Sequence, residues 1–395
     1  MAGLSEVNIV VGSGGLGRRA PNTDKISGIV YYNNTLPSGF STSLREIKVF
    51  SLAEAEALGI AEGSAAHLVE WYHISEYFRG NPDGELWIGY YAVPAGAYDF
   101  AEIDTLQRAA SGEIKQAGIY ANALTYAVAQ NTTIQTAIDG LNADGMPLSV
   151  LYAADMSALT AVSGWTTVGD ARALDARQVT TVASQDGGAA GLALYTSEAY
   201  SITTLGHSLG FLSKVKVNGS MGNPENFNAS NGVELETIAL ANGDLVSALT
   251  DTALAGIKDD GYQVARKRAP KMAGTFYERT PAAVPFTSDY AYVEFSRTID
   301  KASRLVESAL VPKLLSGLTV NTDGTLTDDI VEYFKDIVIQ SLNGMVVDVE
   351  VSNIDVLIDP TQNVQSTSTL VVTVKIQPTP IAEFITVNIG FTDII

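Results

Sequence analysis

Three stretches of this sequence carry residue types whose spacing could support chemistry. Gly206-His-Ser208-Leu-Gly210 has the G-x-S-x-G pattern of a nucleophile elbow, in which a tight strand-to-helix turn lifts a serine hydroxyl toward a histidine base. In α/β-hydrolases that base follows the serine in the chain, but the histidines here are His67, His73 and His207. The preceding Glu198-Ala-Tyr-Ser-Ile-Thr-Thr204 is also too polar for an apolar central strand. The motif is read as a glycine-flanked turn, with a serine hydrolase using Ser208 as the enzymatic alternative. His67-Leu-Val-Glu70-Trp-Tyr-His73 places two imidazoles about 120° apart on an ideal helix. They do not converge on a metal as an i, i+4 pair would, so they are expected to be separate half-buried or surface residues. Gly12-Ser-Gly14-Gly-Leu-Gly17 fits G-x-G-x-x-G. The helix that should follow is interrupted by Arg18-Arg-Ala-Pro21, and no acidic residue sits where a ribose partner is needed, roughly 20 positions on. It reads as a flexible loop. No catalytic residue, cofactor or metal site is assigned.

The composition narrows the partners. With 24 Lys+Arg against 44 Asp+Glu, the 395 residues carry a formal charge of −20. Phosphate backbones and anionic membranes would be repelled, so neither nucleic acid nor membrane binding is expected. The absence of cysteine removes disulfides and thiolate chemistry. Neither a basic-then-apolar signal segment nor an apolar run of about 18 residues is read. A hydrophobic fraction of 46% is enough for a sizeable core.

The elements around these motifs alternate. Glu46–Phe50, Leu86–Tyr91, Leu148–Tyr152 and Val179–Ala183 read as strands. Leu52–Leu58, Ala65–Phe78, Asp104–Ile114, Ile134–Leu141 and Met156–Val162 read as helices. This alternation predicts an α/β layer with a largely parallel sheet, α+β over the whole chain. Residues 203–290 are less regular, with a helix expected over Asp244–Lys258 and a basic cluster at Arg266-Lys267-Arg268. Two long amphipathic helices follow. Tyr292–Leu315 is expected to kink at Pro312, and Asp328–Asn343 is capped by Thr327 and closed by Gly344. Val346–Ile358 and Thr369–Gln377 should form an antiparallel pair. After Pro378-Thr-Pro380, the alternation of Ile381, Glu383, Ile385, Val387, Ile389 and Phe391 predicts a final strand held out by a stiff linker. Val7, Ile9 and Val11 predict a matching N-terminal strand.

Four stretches together resemble a known family. They are Asp260-Gly-Tyr-Gln-Val-Ala-Arg266; Phe286-Thr-Ser-Asp-Tyr290 leading to Arg297-Thr-Ile-Asp-Lys-Ala302; Asp323-Gly-Thr-Leu326; and Ile376-Gln-Pro-Thr-Pro-Ile-Ala-Glu-Phe-Ile385. Their order and spacing resemble those of contractile phage-tail sheath proteins, shared with phage-tail-like contractile injection systems. Gly187-Gly-Ala-Ala-Gly-Leu-Ala-Leu194 followed by His207-Ser-Leu-Gly210 resembles the middle of sheath sequences. The resemblance implies a common sheath fold built from the N-terminal segment and the C-terminal region. The implied division is an arm and start of the fold at 1–44, a middle α/β domain at 45–259, a C-terminal sheath domain at 260–377, and a β-arm at 378–395. It further implies a homo-oligomer of stacked rings or a helical tube, without a cofactor, around an inner tail tube protein. Baseplate and tail terminator proteins would be further partners, in a particle assembled in the bacterial cytoplasm. Contraction would drive the tube through a target envelope. The arms (Val7, Ile9, Val11; Ile381, Ile385, Val387, Ile389) would pair with neighbouring subunits. The helix bearing Asp328, Asp329, Glu332 and Asp336 would face the tube. Another helical assembly protein, such as a tail tube or a surface-layer protein, is the non-enzymatic alternative.

Overall fold

The computed structural model describes residues 23–160, 165, 167–225, 229, 232–268, 271–387 and 389. The expected strand at Val7, Ile9 and Val11, the Gly12–Gly17 loop and Phe391 lie outside the described residues.

In chain order the first strands are β1 (Ile26–Tyr32), β2 (Glu46–Val49), β3 (Glu85–Tyr91), β4 (Gln116–Thr125), β5 (Ser149–Asp155), β6 (Val179–Val182), β7 (Ser184–Asp186), β8 (Ile238–Leu240) and β9 (Tyr262–Gln263). Seven of them form one sheet in the order β2-β3-β1-β4-β5-β6-β9. All neighbours are parallel except β2, which runs antiparallel to β3 at the edge. β1 is buried at every position. Ile26, Val30 and Tyr32 enter one core and Ile29 and Tyr31 the other, as a central strand covered on both faces requires. Ile26–Tyr32, expected within an N-terminal segment ending at residue 44, is therefore the middle of the α/β sheet, and β9 carries that sheet beyond residue 259. The boundaries at 45 and 260 cut through one layer.

Helices α1 (Leu52–Ala57), α2 (Leu68–Gly80), α3 (Glu102–Ala109), α4 (Gln130–Ala143), α5 (Ala189–Glu198), α6 (Leu205–Lys214) and α7 (Asp251–Asp259) flank the sheet. Ile103, Leu106, Ile134, Ile138, Leu254 and Ile257 line one core, and Val69, Ile74, Leu205 and Leu209 the other. Two expectations differ here. Residues 156–160 are not helical, and the helix expected from Asp244 begins at Asp251, where Thr250 caps it by accepting from Ala253 N. β10 (Ala265–Arg268) and β11 (Met272–Tyr277) form an antiparallel ribbon. Its basic residues are tied inward: Arg266 and Arg268 pair with Glu278, and Lys267 donates to the Glu236 carbonyl.

The C-terminal unit is α8 (Val293–Leu310), α9 (Asp328–Val347), β12 (Val351–Leu357), α10 (Val364–Thr367) and β13 (Thr373–Pro378). Thr327 is the residue before α9, but the helix runs through Gly344 to Val347, and Pro312 sits in a short 3-10 turn after α8. β12 and β13 pair antiparallel, as expected, with Leu357 opposite Thr373 and Ile354 opposite Ile376. An isolated two-stranded sheet is marginal in water. This one is supported on one face by Ala302, Val338, Leu342 and Met345 of α8 and α9.

The join between the two halves is polar. Along the first half of α8, Glu294, Ser296, Arg297, Thr298 and Asp300 are buried. The Arg297 guanidinium donates to Gln116 Oε1 at 3.2 Å and to the carbonyls of Val215 at 3.3 Å and Lys216 at 3.4 Å. Burial lowers its pKa to about 10, which leaves it charged at neutral pH. Asp300 accepts from Arg177 at 3.2 Å and Gln178 at 2.9 Å. Lys301 bridges Asp24 and Glu350, both at 2.7 Å. Buried acceptors left without donors each cost about 1–3 kcal/mol. Arg297→Ala is therefore expected to lower the subunit's stability by about 3 kcal/mol or more. Arg297→Lys should not restore it, because one ammonium cannot span the same three acceptors. Urea unfolding checks this, and a loss below about 1 kcal/mol for Arg297→Ala would show that the seam does not hold the halves together.

Candidate functional site

The G-x-S-x-G stretch is not a turn. Gly206, His207, Ser208, Leu209 and Gly210 all lie within α6 and are buried. The reason is packing against α2. A Cβ on Gly206 would meet the His73 carbonyl oxygen at 2.0 Å, and one on Gly210 would meet that of Tyr77 at 2.4 Å. Glycines four apart present one bare helix face, and α2 fills it. Ser208 Oγ lies 3.3 Å from Thr204 Oγ1. His207 Nε2 donates to the Val233 carbonyl at 2.8 Å, so Nδ1 accepts from the Tyr277 hydroxyl. Both ring nitrogens are thus engaged away from Ser208, and burial pulls the imidazole pKa down to about 4. The serine has neither a base nor access to solvent.

The second motif also separates. His67 and His73 are buried rather than half-buried. The His67 ring meets Tyr90 edge-on, while His73 packs on Tyr120 with its pKa lowered by burial to about 3. Glu70 accepts from Asn33 at 2.7 Å. No cluster of three or more potential metal ligands occurs among the described residues, and no helix among them is long and apolar enough to cross a membrane.

What stands out instead is unpaired surface. β12 and β13 pair only with each other among the described residues, so each has an open edge. Beyond Pro378 the described residues form no strand within the subunit. Ile381 is half-buried, but Ile385, Val387 and Ile389 are 82%, 70% and 92% exposed. An alternating apolar segment in water is an association hazard unless something covers it. On α9, Val331, Phe334, Val338, Leu342 and Met345 face inward. Asp328, Asp329, Glu332 and Asp336 are all exposed on the opposite face, with Lys335 bound to Glu332 at 3.0 Å.

This arrangement has counterparts among solved structures. A chain of the anti-feeding prophage (AFP) helical sheath in the contracted state aligns with a TM-score of 0.62 at 14% identity, covering 99% of this chain and 99% of that one. The contracted-state PVC sheath complex of an extracellular contractile injection system aligns with a TM-score of 0.63 at 13% identity, over 97% and 98% of the two chains. The chain has a contractile-sheath fold. A chain of the six-fold symmetrised AFP baseplate shares this fold, with a TM-score of 0.62 at 13% identity over 99% of this chain and 100% of that one. Residues 289–393 match the family described as DUF2586, C-terminal domain. No curated protein matches.

Within the sheath fold, the lipase-like wording is a helix-packing device. Its signal was present in the sequence as two glycines four apart, which serves close helix approach as readily as a turn. A second group was not legible: Lys258, Arg279, Tyr292 and Glu383, far apart in sequence, meet in one cluster. Ser208→Ala is expected to leave the subunit folded, and a serine-reactive fluorophosphonate should not label the native protein. Gly206→Ala should instead destabilise it by about 2–3 kcal/mol, as overpacking does. Labelling of Ser208, or a neutral Gly206→Ala by thermal unfolding, would contradict this assignment.

Proposed function

We propose that this chain is the structural subunit of a contractile sheath. It would polymerise as stacked rings or a helical tube around an inner tube and contract to drive that tube through a target envelope. The observation that carries the reading is the end-to-end correspondence with sheath chains, 99% of both partners in the AFP helical sheath. Those relatives are structural proteins, and this reading gives the chain a mechanical role with no catalytic residue. AFP baseplate chains are among the matches, which supports contact with a baseplate, with tail terminator proteins expected at the other end. Assembly would take place in the bacterial cytoplasm, into a phage tail or a tail-like particle.

The arms are proposed as the links. The residues from Ile381 to Phe391 would add a strand to an open edge of the β12–β13 sheet of a neighbour, and Val7 to Val11 would add to the other. Strand addition supplies ladder hydrogen bonds, and alternate side chains supply specificity. Burying Ile385, Val387 and Ile389 would contribute roughly 2 kcal/mol each, enough to favour association while the body stays rigid. Deleting Pro378–Ile395 is expected to leave a folded subunit, because both cores of the α/β body and the α8–α9 contacts are retained. It should abolish the long tubes that negative-stain imaging and sedimentation detect for the full chain. Normal tubes from the truncated protein would overturn arm exchange, and dispersed particles from the full chain with its proper inner tube would overturn the sheath reading.

The acidic face of α9 is proposed as the tube-facing surface. Its partner would carry Lys or Arg, and exposed charge pairs weaken with salt. Asp329→Lys with Glu332→Lys should prevent sheathing of tubes at low ionic strength without unfolding the subunit. Normal sheathing by that variant, counted in electron micrographs, would remove α9 from the tube interface.

A further inference from the structure

In the segment leaving β13, the Glu383 carboxylate is held by Lys258, Arg279 and Tyr292. Phe384, Ile385, Val387 and Ile389 are exposed, yet the Glu383 side chain is only 19% exposed. Lys258, from the last turn of α7, binds one of its oxygens. The Tyr292 hydroxyl donates to the other at 3.2 Å, and Arg279 Nη1 stands 3.7 Å from it. The Arg279 guanidinium lies 3.6 Å above the Tyr292 ring and also pairs with the buried Glu294 at 2.6 Å. Arg172 approaches the same ring at 5.2 Å. Arg172 is buried, and its Nε and Nη2, like Arg279 Nη2, have no hydrogen-bond partner among the described residues. Three cations thus surround Tyr292, with Glu294 and Glu383 in contact with them. Withdrawing Glu383 would leave the nearly buried Lys258 ammonium without its carboxylate, and uncompensated buried charge is costly. The site therefore calls for an anion whether or not the subunit is assembled.

The path of the chain favours its own Glu383. Four residues lie between the end of β13 at Pro378 and Glu383, so the five steps reach at most about 18 Å. The intervening stretch is tied down, with Ser352 Oγ donating to the Pro378 carbonyl at 3.1 Å and Thr379 Oγ1 to the Val349 carbonyl at 3.3 Å. So short a tether gives the carboxylate a high effective concentration at the cradle.

We propose that Lys258, Arg279 and Tyr292 form an anchoring site for the Glu383 carboxylate of the same chain, which pins Ile381–Glu383 as the root of the arm and narrows the strand free to pair with a neighbour from Ile381–Phe391 to the residues from Phe384 on. The anchor deepens the strand-exchange reading and rests on it only for what residues after Glu383 do.

A zero-length carbodiimide tests this directly, because it joins an ammonium and a carboxylate in contact as an amide. Unlabelled and 15N-labelled full-length chains are mixed, cross-linked as dispersed subunits and as polymer, digested, and read by mass spectrometry. The expected product is a Lys258–Glu383 link in both states, with both peptides always carrying the same isotope label. Mixed-label links in the polymer would show that the cradle takes a neighbour's carboxylate, and absence of the link in both states would remove the anchor. Either result overturns the proposal. Glu383→Gln should abolish the link and raise proteolysis between residues 379 and 387 severalfold in dispersed subunits; unchanged proteolysis would also count against an anchoring role. A chain ending at Glu383 separates the two readings. It should keep the link and lose the polymer, whereas a kept link with normal polymer would overturn strand exchange and leave the anchor standing.

Discussion

The buried polar half of α8 is the constraint on which the rest of the subunit depends. Arg297, Asp300 and Glu294 lie at the join between the seven-stranded sheet and the C-terminal unit, where water cannot reach them. A buried charge is tolerated only in the geometry that satisfies it. Arg297 reaches three acceptors on β4 and the segment after α6, and Asp300 holds Arg177 and Gln178 ahead of β6. An apolar seam could slide or repack at small cost, whereas this one loses hydrogen bonds as soon as the helix shifts. The second half of α8 is apolar toward α9, β12 and β13. One helix thus fixes the position of the open sheet relative to the α/β body.

That rigidity assigns flexibility elsewhere. The described C-terminal residues beyond Glu383 lie on the surface, mostly apolar and without a strand partner among the described residues. A polymer whose subunits keep their shape but change their mutual orientation needs links of this kind, with a firm root and a paired tip joined by a short span. Glu383 in its cationic cradle supplies the root in this account.

Much of this was readable in the sequence, for identifiable reasons. In α9, Phe334, Val338 and Leu342 follow a helical period, and the alternation of Val374 and Ile376 follows a strand period. Those regions matched because one face of each is buried and the other is not. The α6 helix is not legible in the sequence because glycine at 206 and 210 is poor local helix chemistry, and the close approach of α2 that rewards it is tertiary. Strand β1 is not legible as a strand, because a fully buried run such as Ile26–Tyr32 has no polar face to reveal its place. The seam and the cradle were illegible for a different reason: their partners lie between about 80 and 280 residues apart in several cases, and pairing over such distances leaves no local pattern. At Glu383 the one visible hint was a lone charge within an apolar alternation.

On the proposed reading, the C-terminal segment becomes a strand only in the company of another subunit. Amide hydrogen exchange on dispersed subunits and on assembled tubes tests it most directly, since ladder hydrogen bonds protect amides that water otherwise reaches. Exchange over residues 384–389 should be fast in the dispersed state. In the tubes, protection should rise together in that segment and along the open edges of β12 or β13. Tubes in which residues 384–389 exchange as fast as in free subunits would contradict it.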